Sequence, residues 1–329
     1  MNKNIKLFIN YFLGPVIFIL LCWSLYNQII NQQDLQQRWL EMKQAWLRPL
    51  FWVVFFGMFA NWGIEAFKWK LLVRPLERIG YVHAFKSVMA GCSITMLTPN
   101  RVGEYGGRIL YISEENRLAA IPLTILGSIS QLFVTVLLGT IGLFVFKFAI
   151  TQNTALFHLM PDLAGQFLLY SSMLSTIALV FFYFRAGMFI KILLHIPYLK
   201  RLTRYLHFMY EFSQKQLLRI LMLSFLRYLV FILQYVLMLS VMRVEVPFVD
   251  CFWLLSIFYL IMTMAPTIGF TELPLRAAAS IQLLSLYSNN VLGMQAASLS
   301  IWIINLVLPA IAGSLLILGI KIMKGNEAT

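Results

Sequence analysis

The chain of 329 residues is 60% apolar and only 12% charged; soluble domains carry about 25% charged residues, so a soluble globular protein is excluded. Lys and Arg outnumber Asp and Glu by 26 to 13, a formal net charge of +13. In so apolar a chain that excess reads as the basic loops of a membrane protein rather than a nucleic-acid surface. The three cysteines, Cys22, Cys92 and Cys251, are isolated and odd in number, which points to neither a disulfide framework nor a zinc site.

A bilayer core of about 30 Å is crossed by roughly 20 helical residues. Six apolar runs suit that length: 7–30, 50–67, 120–146, 167–184, 217–241 and 291–320. The first is too long for a secretory signal and lacks a small-residue cleavage site, so it is expected to be a true helix. Two more runs, 82–97 and 248–265, are shorter and lead into Pro99 and Pro266, which makes them poor spans.

Cytoplasmic loops collect Lys and Arg, and that bias orients the chain. An amino terminus inside places Lys3 and Lys6 there, and after two crossings Lys68, Lys70, Arg74, Arg78 and Lys86 as well. The bias persists if 82–112 enters and returns as a re-entrant hairpin. Arg117 is then inside, and the loop 151–166, with Asp162 but no Lys or Arg, is outside. Loop 185–216, with Arg185, Lys191, Lys200, Arg201, Arg204 and Lys215 against Glu211, is inside. A second hairpin, 248–284, must enter from outside, leaving Lys321 and Lys324 cytoplasmic. Lys147 and the linker bearing Arg38, Lys43 and Arg48 run against the bias.

The predicted fold class is therefore an all-α polytopic membrane protein of two inverted repeats, each of three transmembrane helices plus one re-entrant broken-helix hairpin. The repeats occupy 1–150 and 166–324 of one membrane domain. The expected location is the cytoplasmic (inner) membrane, with both termini on the cytoplasmic side.

The two hairpins share a pattern. The first reads Thr95-Met96, Pro99, Gly103, Glu104 and Arg108; the second reads Thr263-Met264, Pro266, Gly269, Glu272 and Arg276. Interrupted segments at corresponding positions of two halves point to a transporter's binding site near the midplane. Pro99 and Pro266 lack an amide donor and disfavour helix in the residue before them, while Gly103 and Gly269 permit close backbone approach. Broken backbone at membrane depth survives only against protein or a water-filled cavity. A half-helix start favours anions, and Arg101, Arg108 and Arg276 add guanidinium forks suited to phosphate oxygens.

Glu104 and Glu272 would repel an anion, and ionisable groups at depth cost about 2.5 to 3.5 kcal/mol or more each unless paired. Each Glu is expected to hold its Arg until a headgroup binds, and then to protonate or change partner. A Glu and an Arg four apart also form an ordinary intrahelical pair. All four side chains are expected to share one buried, wet chamber. Arg227, deep in its apolar run, needs a partner, with Glu104, Glu272 or a lipid phosphate as candidates.

Gln131 and Asn305 sit at comparable places in the third helix of each repeat, where bonding across helices or plain packing suffices. Glu65 beside Lys68 reads as an interfacial ion pair outside the site. Gly103 and Gly107 match a common helix-packing spacing. The segment 188–210 mixes Lys and Arg with Phe, Leu and Tyr like an interfacial helix, interrupted by Pro197, or a solvated connector.

The run Pro99-Asn100-Arg101-Val102-Gly103-Glu104 with Arg108, followed by Pro266, Gly269 and Glu272, resembles the lysylphosphatidylglycerol synthase transmembrane-domain family over nearly the whole chain. Asn100 stands where that family commonly has glycine, and the second motif is poorer in glycine. The resemblance implies a lipid flippase or related transporter. Only five residues follow Lys324, so the expectation is a stand-alone member without a soluble synthase domain.

Three functions compete. The first is translocation of an anionic lipid or lipid-linked headgroup, with membrane lipids as partners and no nucleic acid; a homo-oligomer is compatible with it. The second is an ion-coupled small-solute carrier, which needs a closed polar pocket where a flippase needs a groove open to lipid. The third, a membrane-embedded lipid-modifying enzyme, lacks sequence support. There is no phosphate-binding loop and no clustered aspartates, and His83, His158, His195 and His207 are scattered. No catalytic residue, metal or cofactor is expected.

Overall fold

The computed structural model describes residues 35–96, 98, 102–148, 162–185, 212–264 and 272–326, with 23, 26, 27 and 30. The first expected span therefore lies almost wholly outside the described residues, as does the segment 188–210. Every element described is helical: α1 Leu35–Lys43, α2 Pro49–Val73, α3 Tyr81–Thr95, α4 Gly103–Ile109, α5 Arg117–Phe148, α6 Asp162–Phe184, α7 Gln214–Val241, α8 Phe248–Met264, α9 Glu272–Leu284, α10 Val291–Trp302 and α11 Leu308–Asn326. The last two are joined without a break by a π-helical turn, Ile303–Val307.

Among the described residues five helical segments are long and apolar enough to cross a bilayer: Pro49–Val73, Glu114–Phe148, Gly165–Phe184, Gln214–Val241 and Val291–Leu318. Large apolar side chains face outward from them as well as into the core. Along α6, Phe167, Tyr170, Leu174, Ile177 and Phe181 form one exposed stripe at helical spacing. So much contiguous exposed apolar surface fits acyl chains, not water.

Local signals set the helix ends. Pro49 takes the first position of α2 after extended Arg48, where a missing amide costs nothing. Ser213 and Gln216 close a capping box at the start of α7, Ser213 N donating to Gln216 Oε1 at 2.8 Å. At its other end Val244 N donates to Leu239 O at 2.9 Å and Arg243 N to Ser240 O at 3.2 Å, a Schellman cap. Arg243 holds the left-handed position at φ 56°. The carbonyls left over are taken by Arg48, which donates to Val241 O, and by Asn290 Nδ2, which donates to Met242 O at 3.0 Å and Arg243 O at 3.1 Å.

These contacts gather the start of α2, the end of α7 and the start of α10 at one end of the bundle. At the other end Glu77, just beyond α2, accepts from Ser113 N at 3.2 Å and Asn116 Nδ2 at 3.3 Å. There too Tyr183 Oη donates to Leu217 O at 2.8 Å, joining the end of α6 to the start of α7.

Two short helix pairs fill the space between the long helices. In the first, α3 and α4 run antiparallel: His83 Nε2 lies 2.6 Å from Tyr111 O, and Ser87 Oγ donates to Arg108 O at 2.8 Å. Their close approach needs glycine. A Cβ on Gly103 would fall 2.5 Å from Ile94 O, and one on Gly107 would overlap the Ala90 carbonyl. The spacing of these two glycines thus has a specific cause that sequence alone did not supply. The outer ends of α3 and α4 lie beside Glu77. In the second pair, α8 leaves from the end of α7 and α9 leads back to Asn290, so its outer ends lie at the opposite end of the bundle. Gly139 of α5 lets α8 press in, since a Cβ there would meet Leu260 Cβ at 2.5 Å.

Candidate functional site

The most connected buried charge is one the sequence reading set aside. Glu65 is 3% exposed and shared by three cations: Arg108 Nη2 at 2.7 Å, Lys68 Nζ at 2.8 Å and Arg227 Nη1 at 3.2 Å. Glu65 is thus not an interfacial residue. Its helix runs on to Val73, eight residues and roughly 12 Å past it, where the apolar run had suggested an end at 67. Asn61, Glu65 and Lys68, at i, i+4 and i+7, occupy one face of α2; that polar line inside an apolar span was the available signal.

The surroundings satisfy this hub. Lys68 Nζ also donates to Gly127 O and Ser224 Oγ, both at 3.3 Å. Arg227 Nε donates to Asn61 Oδ1 at 2.8 Å, and Asn61 Nδ2 to Asn305 Oδ1 at 2.9 Å. Asn305 sits in the π-helical turn, and its carbonyl accepts from Trp62 Nε1 at 3.2 Å. Such turns free backbone carbonyls and often mark functional sites. Arg108 lies over the Trp69 ring and Arg227 over Trp62, at 5.3 and 5.0 Å, contacts that favour cations in a dry setting. Arg108 also pairs with Glu104 on its own helix. Among the described residues three cations face two carboxylates, so this cluster, fully ionised, keeps one positive charge in excess.

Arg276 and Glu272 form a second centre in the first turns of α9. The guanidinium is 5.6 Å from the Phe258 ring centroid and close to the Tyr259 hydroxyl. Tyr228, Phe231, Tyr235, Phe258 and Tyr259 form a continuous aromatic wall, with centroid separations of 5.0 to 6.3 Å. Of the four side chains expected in one chamber, Glu104 and Arg108 join the Glu65 hub, and Glu272 and Arg276 pair beside the aromatic wall.

Of the remaining predicted residues, Arg227 takes Glu65 as its partner, not Glu104 or Glu272, because α7 packs antiparallel to α2 and sets the two side chains at one level. Asn305 bridges helices, whereas the buried Oε1 of Gln131 has no hydrogen-bond partner. Gly103 opens α4. Arg101, Pro99, Pro266 and Gly269 lie outside the described residues. Among the described residues no group of three or more His, Cys, Asp or Glu side chains is placed to hold a metal ion.

Bilayer-length apolar helices enclosing buried guanidinium–carboxylate centres define a multi-pass membrane protein with ion pairs in its interior. The chain belongs to the family of the lysylphosphatidylglycerol synthase TM region, which it matches over residues 11–313. Among curated proteins and among solved structures nothing matches it.

Proposed function

We propose that the chain is a flippase or transporter, not an enzyme, and carries an anionic lipid or lipid-linked headgroup across the cytoplasmic membrane. The observation that carries this reading is the buried hub of Lys68, Arg108 and Arg227 around Glu65, with Glu104 the most exposed carboxylate of the group at 20%. Burying unpaired charge costs several kcal/mol, so the excess cation favours an anion that reaches it. A phosphate would take Arg108 in place of Glu104, which then protonates or turns to another donor, while Glu65 keeps the cations in position.

The two helix pairs support the same reading. We infer that α3–α4 and α8–α9 are re-entrant hairpins entering from opposite leaflets, each beginning its inner arm with Glu-x-x-x-Arg, and that the halves are inverted repeats. Such repeats place substrate between them near the midplane. The excess of Lys and Arg near the α2–α3 turn and the start of α7 favours a cytoplasmic placement of that end. Cysteines introduced at Glu114 and Glu245 should label from opposite faces of sealed inner-membrane vesicles.

The functional test is reconstitution into liposomes with labelled anionic and neutral lipids, comparing the parent with Glu104→Gln, Arg108→Ala, Glu272→Gln and Arg276→Ala. Faster transfer of the anionic label, slowed at least tenfold by Arg108→Ala, is the expected result. Transfer no faster than in protein-free vesicles under every ion gradient would hand the site to a small-solute carrier.

A further inference from the structure

Lys68 Nζ sits in a cage of oxygens drawn from three helices. It pairs with Glu65 Oε2 at 2.8 Å and donates to Gly127 O of α5 and Ser224 Oγ of α7, both at 3.3 Å. Ser130 Oγ of α5 closes the cage, 2.7 Å from both Ser224 Oγ and Gly127 O. Lys68, Ser130 and Ser224 are each at most 1% exposed. The two hydroxyls set this cage apart from an ordinary ion pair, because each can donate or accept. With Lys68 an ammonium, Ser224 accepts from it and donates to Ser130, which donates to Gly127 O. With Lys68 a neutral amine, Ser224 turns and donates to the nitrogen lone pair, while the two remaining N–H groups keep Glu65 and Gly127 O. The cage satisfies both forms; carbonyl and carboxylate oxygens alone would satisfy only the ammonium.

Charge balance decides when each form is stable. Among the described residues the charged groups that face Lys68 are Glu65 on its own helix, Arg227 on α7, and Arg108 on α4 with its partner Glu104; α5 presents only the neutral Gly127 and Ser130. With all five groups ionised the cluster holds one positive charge in excess, and with Lys68 as the amine it holds none. Once a monoanion is bound, balance requires the ammonium. Buried unpaired charge is costly, so the empty cluster favours the amine and the loaded cluster the ammonium. Protonating Glu104 in the empty cluster would instead raise the excess to two. Arg108 and Arg227 cannot take this part, because a guanidinium keeps its proton whereas a buried lysine exchanges it. We propose that Lys68 is the proton carrier of the hub, binding one proton with each monoanion the hub takes up; this rests on the transport reading above and names its coupling ion. By linkage the anion tightens the proton and the proton tightens the anion by the same factor. Glu104, displaced from Arg108, stays ionised and turns to another donor.

The test is proton uptake by the purified full chain in nanodiscs of zwitterionic lipid, held in weak buffer with a pH indicator. The probe is dihexanoyl phosphatidylglycerol, a monoanion that does not itself titrate near neutral pH, and protein-free discs give the blank. About one proton per bound lipid is expected, with the lipid affinity falling about tenfold per pH unit where the amine prevails. Lys68→Arg, charged at every pH, should bind the lipid without uptake and with an affinity that pH leaves unchanged. Lys68→Met, neutral and unbranched, should take up no proton and bind about tenfold more weakly than the parent or worse, as loss of a nearby unit charge implies. Gel filtration and melting curves check that each variant is folded. Uptake that survives either substitution overturns the proposal, as does uptake lost in Glu104→Gln and kept in Lys68→Arg, which places the proton on Glu104. Lipid transfer across vesicles with no proton taken up on binding retires the proton carrier alone. Uptake that depends on Lys68 in a chain that moves no lipid retires the transport reading alone, and a parent that binds no lipid overturns both.

Discussion

The hub on α2 and the pair on α9 are built from the same local unit, a Glu and an Arg four residues apart at the start of a short helix, yet they are set differently. Arg108 is claimed by a second carboxylate from a distant helix, and four helices meet at Glu65 through hydrogen-bonded partners. Arg276 has one carboxylate, Glu272, and an aromatic wall, and it lines a cavity between α9 and α10. A motif read from sequence therefore fixes an ion pair but not its work: the first unit is a junction of the bundle, the second a lining of a pocket.

The sharpest way to break this comparison is Glu65→Gln. It leaves Lys68, Arg108 and Arg227 buried with Glu104 as sole counter-charge, and removing one partner of a buried pair costs about 3 to 5 kcal/mol. A large fall in thermal stability in detergent is expected, well beyond that of Glu272→Gln. Equal losses would mean that the hub is no junction. Next in size, Gly107→Leu drives a side chain into the Ala90 backbone, and overpacking of this kind costs about 1 to 3 kcal/mol. The purified variant should melt earlier and lose the protection of α3 from hydrogen exchange.

A double-mutant cycle sharpens the contrast. If Glu272 and Arg276 are chiefly each other's partners, the pair Glu272→Gln with Arg276→Met should be more stable than the sum of the singles implies, by about 1 to 3 kcal/mol. The same exchange at Glu104 and Arg108 should recover little, since Arg108→Met also strips Glu65 of its closest cation. Matching coupling energies at the two sites would erase the distinction drawn between them.

Sequence reading reached the five described spans and both Glu-x-x-x-Arg units because they are periodic and local. It missed Glu65 for a physical reason. Hydropathy falls after Phe67 at Lys68, but the helix continues because Lys68 is paired and buried, so a residue placed near the interface lies deep in the bundle. The pairing of Glu65 with Arg108 spans 43 positions, and the π turn at Asn305 depends on Trp62 and Asn61 across the bundle; neither has a local signature. The sharing of Arg108 between Glu65 and Glu104 was illegible for the same reason, since nothing local tells an Arg which of two carboxylates it will meet.

Smaller effects separate the two ends of the bundle. Arg243 pays the penalty of a left-handed backbone for a residue with a Cβ, about 1 kcal/mol or more. Arg243→Gly should therefore raise stability by roughly that amount without touching either centre, and chemical denaturation in mixed micelles would register the gain. A loss instead would show that the Arg243 side chain, not its backbone, holds the end of α7.

The mouths of the two helix pairs differ in how they are tied, and pH distinguishes them. Asn290, a neutral amide, ties the end of α7 to α10, so that joint should not respond to acid. Glu77 ties the α2–α3 turn to Ser113 and Asn116. Burial alone would raise its carboxyl, but the hydrogen bonds from Ser113 and Asn116 and the nearby His83 outweigh that and hold it below the ordinary carboxylate range. A carboxyl lowered by folding stabilises above its unfolded value, about 4.3 for Glu, and that contribution fades as pH falls through the lower folded value. The gap in melting temperature between parent and Glu77→Gln should be small at pH 7, worth a few tenths of a kcal/mol at so exposed a site, and should close as the pH falls below the ordinary carboxylate range. A gap that persists in acid would mean that Glu77 acts through shape, and the two mouths would then be equivalent.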